Sequence, residues 1–283
     1  MMQGLIGLGG SLIKNPFQSF EEKYEVFKCF SANSPYINIF FETENYLMKT
    51  ADTLEEFYEI FTFRHSVFVK ECHAESEYEN IEIDHFDSIC DHLVIKDKKN
   101  EKIIGYYRMI SSAFSNEFYS ENEFNLKDLK GTKENLLELG RACIDIHHRN
   151  GQVINLLWKG IGQYSLMTDT RYLFGCTSIH SESFSLAHEM YHYLKQENKV
   201  IDNFNITPTS LYSININFDN GPCITDTMRL KSEIPSLLKS YLGAGAKIAS
   251  TPAYDKDFSC IDFFTIMDIY NVSRSFKRRY FSL

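Results

Sequence analysis

Apolar residues recur along this chain with two different periods, and the switches between them mark out the elements. Phe57, Ile60, Phe61, Arg64 and Phe68 fall at helical spacing behind Thr53, Glu55 and Glu56. A capping hydroxyl followed by acids in the first turn is a helix start, so a helix is predicted over 53–68. Ahead of it, 37–41 and 46–51 read as strands. Behind it, 91–95 and 102–110 flank the polar turn Asp97-Lys98-Lys99-Asn100 and predict a hairpin. Phe124-Asn125-Leu126 leads into a loop with Gly131. Further strands are predicted over 136–146, 172–178 and 262–269. Further helices are predicted over 154–166, 184–195 and 235–242, the last ended by Gly243. Strands alternating with helices in this order give an α/β domain whose central mixed sheet carries helices on both faces. No linker rich in Pro, Gly or Ser divides it, so one domain is expected.

Charge and composition narrow the class. The net charge of −9 argues against nucleic acid as a partner, because neutralising phosphates needs a basic surface. The seven cysteines are odd in number and none is spaced C-x-x-C. A disulfide framework or structural zinc site is therefore not expected, which fits a reducing cytoplasm. Residues 1–13 are apolar but lack a basic leader and are too short to span a bilayer, so neither signal peptide nor transmembrane helix is read. The tail Arg274, Lys277, Arg278 and Arg279 interleaves with Phe276, Tyr280 and Phe281. A solvated helix end and a peripheral contact with a membrane surface both account for it.

Several blocks carry a resemblance. They are Arg64-His65-Ser66-Val67-Phe68, Phe86-Asp87-Ser88-Ile89-Cys90-Asp91-His92, Tyr107-Arg108-Met109 and Leu137-Glu138-Leu139-Gly140-Arg141-Ala142-Cys143 with His148-Arg149-Asn150-Gly151. Downstream lie Arg171-Tyr172-Leu173-Phe174-Gly175-Cys176, Pro235-Ser236-Leu237-Leu238 and Pro252-Ala253-Tyr254-Asp255 with Asp262-Phe263. In this order they resemble the ornithine acyl-carrier-protein N-acyltransferases that begin ornithine-lipid synthesis. The resemblance implies a GNAT-like domain over 46–270, largely antiparallel in its sheet, with residues 1–45 and the tail 271–283 outside it. It implies an acyl group, often 3-hydroxyacyl, carried as a phosphopantetheine thioester on acyl carrier protein, with the α-amine of ornithine as acceptor. No other cofactor and no metal are implied.

That chemistry assigns roles to residues. An amine attacks a thioester as the free base, so a carboxylate must take its proton. The oxyanion needs aimed donors, and the acceptor's carboxylate suits an arginine. Glu138, an acid in an apolar strand, is the candidate base; an ion pair with Arg141 is the competing reading. Strict alternation would put positions 138 and 141 on opposite faces. A bulge at Gly140 would bring them together and splay the strand. Arg64, Asp84, Asp87, Arg108 and Arg141 match positions shared with homoserine-lactone synthases and are expected to form a network ordering residues 69–90 over the acceptor. Phe68 is expected either in the acyl slot or in the core. His148, Arg149 and Gly151, with Lys159 behind them, are candidates to face the carrier's arm at a helix N-terminus.

Other readings remain at this stage. Another amine acceptor, as in the homoserine-lactone synthases, keeps the mechanism. A zinc peptidase would use His188, Glu189 and His192, which have H-E-x-x-H spacing. His92 and Asp97 match an O-acyltransferase pattern, but a strand would separate them.

Overall fold

The computed structural model describes residues 34–71, 80–222, 224 and 226–281. Strands β1 (Phe40–Glu42), β2 (Tyr46–Thr50), β3 (Asp91–Asp97), β4 (Lys102–Ser111), β6 (Asn135–Ile144), β7 (Thr170–Ile179), β11 (Cys260–Asp268) and β10 (Ala253–Asp255) lie side by side in one sheet, with β9 (Lys247–Ile248) also on β11. Every neighbouring pair is antiparallel except β6 and β7. That parallel pair requires a crossover, and helix α3 (Gln152–Met167) supplies it. The small strands β5 (Phe124–Asn125) and β8 (Thr207–Pro208) form a separate ribbon.

Both sheet faces are covered. On one, Val153, Leu157, Trp158, Ile161 and Tyr164 of α3 pack on Leu93, Tyr107, Leu137, Leu173 and Met267. Helix α4 (Phe184–Gln196) extends this layer over Ile261 and Phe263, while α5 (Thr227–Glu233) and α6 (Ser236–Ala244) close it. On the other face, Phe57, Ile60 and Phe61 of α1 (Leu54–His65) cover Val94, Tyr106 and Cys143. Phe118, Phe124 and Leu126, around the short helix α2 (Lys127–Lys130), cover Phe174 and Phe264.

The expected elements are present, with shifts that have physical causes. Helix α1 stops at His65 and continues as a π-helical turn, Ser66–Glu71. Such turns recur at functional sites. Residues 37–39 are not strand: Tyr36 and Ile37 donate to the Asp91 carboxylate instead, and β1 begins at Phe40. Helix α6 passes through Gly243 and ends at Gly245, whose φ of 119° is the left-handed C-cap. The sheet thus begins before residue 46, the expected start of the domain. Helix α7 (Arg274–Tyr280) is likewise docked: Phe276 and Tyr280 lie against Trp158, at 5.1 and 6.2 Å between ring centroids. The tail's aromatic side chains are thereby packed against the core.

This docking is tight at Gly162, where a Cβ would overlap the Tyr280 carbonyl, whereas at Gly243 it would meet nothing within 4 Å. Gly162→Ala is expected to cost about 1–3 kcal/mol as α7 is displaced. Gly243→Ala is expected to be neutral or to stabilise by up to about 1 kcal/mol through helix propensity. Paired melting curves check this; equal midpoints would contradict the packing.

Candidate active site

The site starts from a buried charge problem. Arg64 and Arg108 are 0% and 1% exposed, and guanidinium groups out of water need partners on every side. The segment returning from α1 to β3 supplies them. Arg64 pairs with Glu82 and, at 2.5 Å, with Asp87. Arg108 donates to both oxygens of Asp84 at 2.7 Å and lies 3.4 Å from Asp87. Arg141 pairs with Glu82 and Asp84, each at 3.0 Å. Three arginines and three carboxylates cancel. Asp84 and Asp87 also cap one turn reciprocally: Phe86 N–H donates to Asp84 and Asp84 N–H to Asp87. Burial works against ionising Asp84, but the charges of Arg108 and Arg141 overcome it and hold the carboxyl well below its usual range. For Asp87, too, burial is outweighed, chiefly by Arg64. The network therefore unites all five residues expected in it and clamps residues 80–90 onto the sheet. Residues 72–79 of the expected loop lie outside the described residues.

Glu82 was missing from the sequence reading. The signal was there: Ile81-Glu82-Ile83-Asp84 alternates, placing both acids on one face.

The second feature is a break in the sheet. The β6–β7 ladder runs from Asn135↔Thr170 to Glu138↔Phe174 and ends. Past that point β6 keeps only β4, and β7 keeps only β11. Between Tyr106↔Cys143 and Arg108↔Gly140, β6 holds one residue more than β4. This is the expected bulge, but its left-handed residue is Arg141, with φ 52°, not Gly140. Such a backbone in a non-glycine residue is strained and has to be held by its surroundings. Here Glu82 and Asp84 hold it, with the rings of Tyr119, Phe258 and Phe68 at 4.6, 5.1 and 5.8 Å. Glycine matters instead at Gly175 across the split, where a Cβ would overlap the Leu139 carbonyl.

Glu138 stands at the apex of this split, 3% exposed. The bulge puts it on the same face as Arg141, yet among the described residues no ion pair joins them. Its carboxylate accepts from Tyr119 N–H at 2.6 Å, from Ser120 N–H at 2.7 Å and from the Ser120 hydroxyl. Burial pushes its carboxyl above the usual range, while these bonds and Arg108 act the other way. A carboxylate so placed can take a proton at neutral pH.

The split opens a cleft of about 290 Å³ that passes through the sheet. Its apolar half lies on the α3 face, lined by Tyr107, Trp158, Leu173, Leu238, Tyr241 and Met267. Its polar half lies on the other face, with Arg108, Glu138, Arg141 and Phe68. Phe68 is thus a lining residue, on the π-helical turn. Two buried donors in the walls, Arg108 Nη2 and Trp158 Nε1, have no hydrogen-bond partner among the described residues. Also in the polar half are Glu123, Asp255 and Asp262, whose oxygens lie within 4.8 Å of one another. The sequence reading gave these three no role, although an acid in the apolar run of β11 is the same signal that singled out Glu138.

His148, Arg149 and Gly151 lie elsewhere, between β6 and α3, and do not line the cleft. His148 is bonded to Asp145 at 2.8 Å and Arg149 donates to the Ile144 carbonyl at 2.9 Å. Gly151 caps α3 with φ 90°, and the first N–H of the helix, that of Gln152, donates to Asn150 Oδ1 at 3.0 Å. Lys159 lies over the Phe41 ring at 5.5 Å. Among the described residues the peptidase spacing does not gather a group of metal ligands: His188 is bonded to the Asn220 carbonyl, and Glu189 is paired with Arg229. His92 is buried against Tyr106 OH at 2.9 Å, and burial lowers its pKa to about 4.

The chain is similar to several known proteins. The GNAT acetyltransferase domain matches residues 63–159, which include Glu138 and the whole arginine network. An L-ornithine N(alpha)-acyltransferase of Brucella abortus (strain 2308) is 29% identical over 232 residues, covering 77% of this chain and 82% of the relative. Another from Rhodobacter capsulatus is 27% identical over 233 residues, covering 77% and 87%. Among solved structures, an N-acyl amino acid synthase from uncultured soil microbes aligns with a TM-score of 0.47 at 9% identity, over 84% of this chain and 96% of that one.

Proposed function

Taking as premise that the chain is an acyltransferase with a GNAT domain and a homologue of L-ornithine N(alpha)-acyltransferases, we propose that it moves an acyl group from acyl carrier protein to the α-amine of ornithine. The observation that carries this reading is the split between β6 and β7, with Glu138 at its apex and one cleft joining an apolar half to a polar one.

The acyl chain occupies the apolar half, beside Trp158, Leu238 and Met267. Its thioester carbonyl comes to the split, where the β6 edge beyond Glu138 has lost its ladder partner and can turn N–H groups to the oxyanion. The acceptor enters the polar half, and its carboxylate meets the unpartnered Nη2 of Arg108. Glu138 takes the proton of the α-ammonium, directly or through one water. The amine then attacks the carbonyl, the C–N bond forms, and the C–S bond breaks to release the carrier's thiol. The phosphopantetheine thioester is a co-substrate, and no further cofactor enters. The arm approaches by the α3 N-terminus, past Gly151, Arg149 and His148, where its single phosphate suits a helix end. The setting of this reading is the cytoplasm. No helix among the described residues is long and apolar enough to cross a membrane.

The donor is tested with one 3-hydroxyacyl group presented on carrier protein and on coenzyme A. Carrier-bound acyl is expected to give kcat/KM at least tenfold higher, and Arg149→Ala is expected to raise KM for the carrier without lowering kcat. Equal use of both donors would overturn the assignment of the carrier and leave the transfer intact.

A further inference from the structure

The proposed reaction needs one carboxylate, yet the cleft holds four. Glu138 is accounted for by its three donors. Glu123, Asp255 and Asp262 have no part in that step, and they come from three separate segments: the turn after Tyr119, β10 and β11. All are buried, at 1%, 3% and 2% exposure. Ser178 donates to Asp262 at 2.5 Å, and Asp257 and Phe258 N–H donate to Asp255. Glu123 Oε2 is buried and no cation or N–H faces it among the described residues; the Glu123 carboxyl lies against that of Asp262 and the Cys176 thiol instead. Three carboxylates gathered out of water repel each other and lose hydration, which is costly without a cation. Burial, then mutual repulsion, pushes the carboxyls of Glu123 and Asp255 above the usual range, and burial does the same to Asp262. By contrast, the three carboxylates of the arginine network each face a guanidinium.

A second orphan of opposite sign lies in the same cleft. Arg108 is 1% exposed, and its Nη2 has no partner. The polar half thus offers one unsatisfied cationic donor and one unsatisfied anionic acceptor, with Glu138 in the same walls. Glu138 connects to the cluster through Ser120, to which the Cys176 thiol donates at 3.4 Å; Cys176 adjoins Glu123 and Asp262 in turn. A ligand that satisfies both orphans carries a carboxylate and, at its far end, a positive charge.

We propose that Glu123, Asp255 and Asp262 hold the side-chain ammonium of a diamino-acid acceptor, making them the residues that select such an acceptor over a neutral amino acid of the same length. The proposal rests on the reading of the cleft as an amino-acid acceptor site. With the distal ammonium held there, the α-amine remains the group free to meet Glu138. A site built around a charged partner rejects the analogue lacking it strongly, because its own groups are then left unpaired.

The test is a calorimetric titration of the whole chain with ornithine and with norvaline, which has the same carbon chain without the second amine. Binding is read without any acyl donor, so it separates acceptor selection from transfer. The wild type is expected to bind ornithine at least about 100-fold more tightly than norvaline. Glu123→Gln and Asp262→Asn are each expected to cut that ratio at least tenfold. Neither should melt much lower than wild type, because each amide keeps the shape of the carboxyl and relieves the repulsion among the three acids. Wild-type affinity for norvaline equal to that for ornithine overturns the proposal without needing any variant to fold. So does an unchanged ratio in both variants, or a divalent metal retained stoichiometrically by the wild type and lost in Asp262→Asn. Selective binding of ornithine with no acylation of it would uphold this inference and overturn the proposed reaction. Acylation of both amino acids without a binding preference would do the reverse.

Discussion

Glu138→Gln is expected to lower kcat for acyl transfer by about 10²–10⁴-fold, the usual contribution of a positioned general base, with KM for the acceptor little changed. The amide keeps the shape of the carboxyl and an oxygen for the Ser120 donors, but it cannot take a proton. Because burial raises the Glu138 carboxyl above the ordinary range, the acid limb of kcat/KM should lie above the pKa of about 4.3 typical of glutamate. Activity rises as pH rises through that limb and the base ionises. In Glu138→Gln this limb disappears while the residual rate persists. Glu138→Asp, with a shorter reach, should recover part of kcat and restore the limb. A purely structural role, in which Glu138 only ties down Tyr119 and Ser120, would instead lower the melting point and the rate together and leave the limb in place.

The largest effect on stability is expected at Arg64. Arg64→Met leaves Glu82 and Asp87 buried with their charges reduced to partners on Arg141 and Arg108. Breaking a buried ion pair from one side costs about 3–5 kcal/mol, or a fall in Tm of roughly 6–20 °C for a chain of this size. Arg64→Lys should not rescue it, because an ammonium cannot address two carboxylates with a planar fork. The pH dependence has a definite sign. Asp84 and Asp87 have pKa values depressed in the fold, so their stabilisation is present above the unfolded value of about 3.9 and is lost as pH falls through the lower folded values. Wild type should therefore hold its melting point down to about pH 4 better than Arg64→Met does. Melting curves of the three proteins between neutral and acid pH check this; coincident curves would show that the network contributes nothing.

The element order was legible because most elements declare their period. Val153, Leu157, Ile161 and Tyr164 repeat at helical spacing, and β4 and β11 are long apolar runs. What could not be read was geometry set by distant partners. Gly140 between Glu138 and Arg141 points to the bulge after Glu138, but not to the residue that carries its strain. The strain sits on Arg141, since the carboxylates of Glu82 and Asp84 exist only once the segment before β3 has folded back. The network's five residues were legible from the resemblance, whereas Glu82 needed the alternation around it. Glu123 lies 132 residues before Asp255 and 139 before Asp262, and the β10–β11 hairpin brings only the last two together, so only the sheet shows them as one cluster. Sequence spacing also made His188, Glu189 and His192 look like a metal site; the fold gives His188 and Glu189 other partners.

The measurement that tests the central claim most directly is the identity of the product. Purified protein would be given 3-hydroxyacyl carrier protein and isotopically labelled ornithine, and the acylated amino acid located by fragmentation in a mass spectrometer. The account predicts a single amide on the α-nitrogen, formed with release of the carrier thiol. An amide on the side-chain nitrogen, or no amide from folded protein, would contradict it.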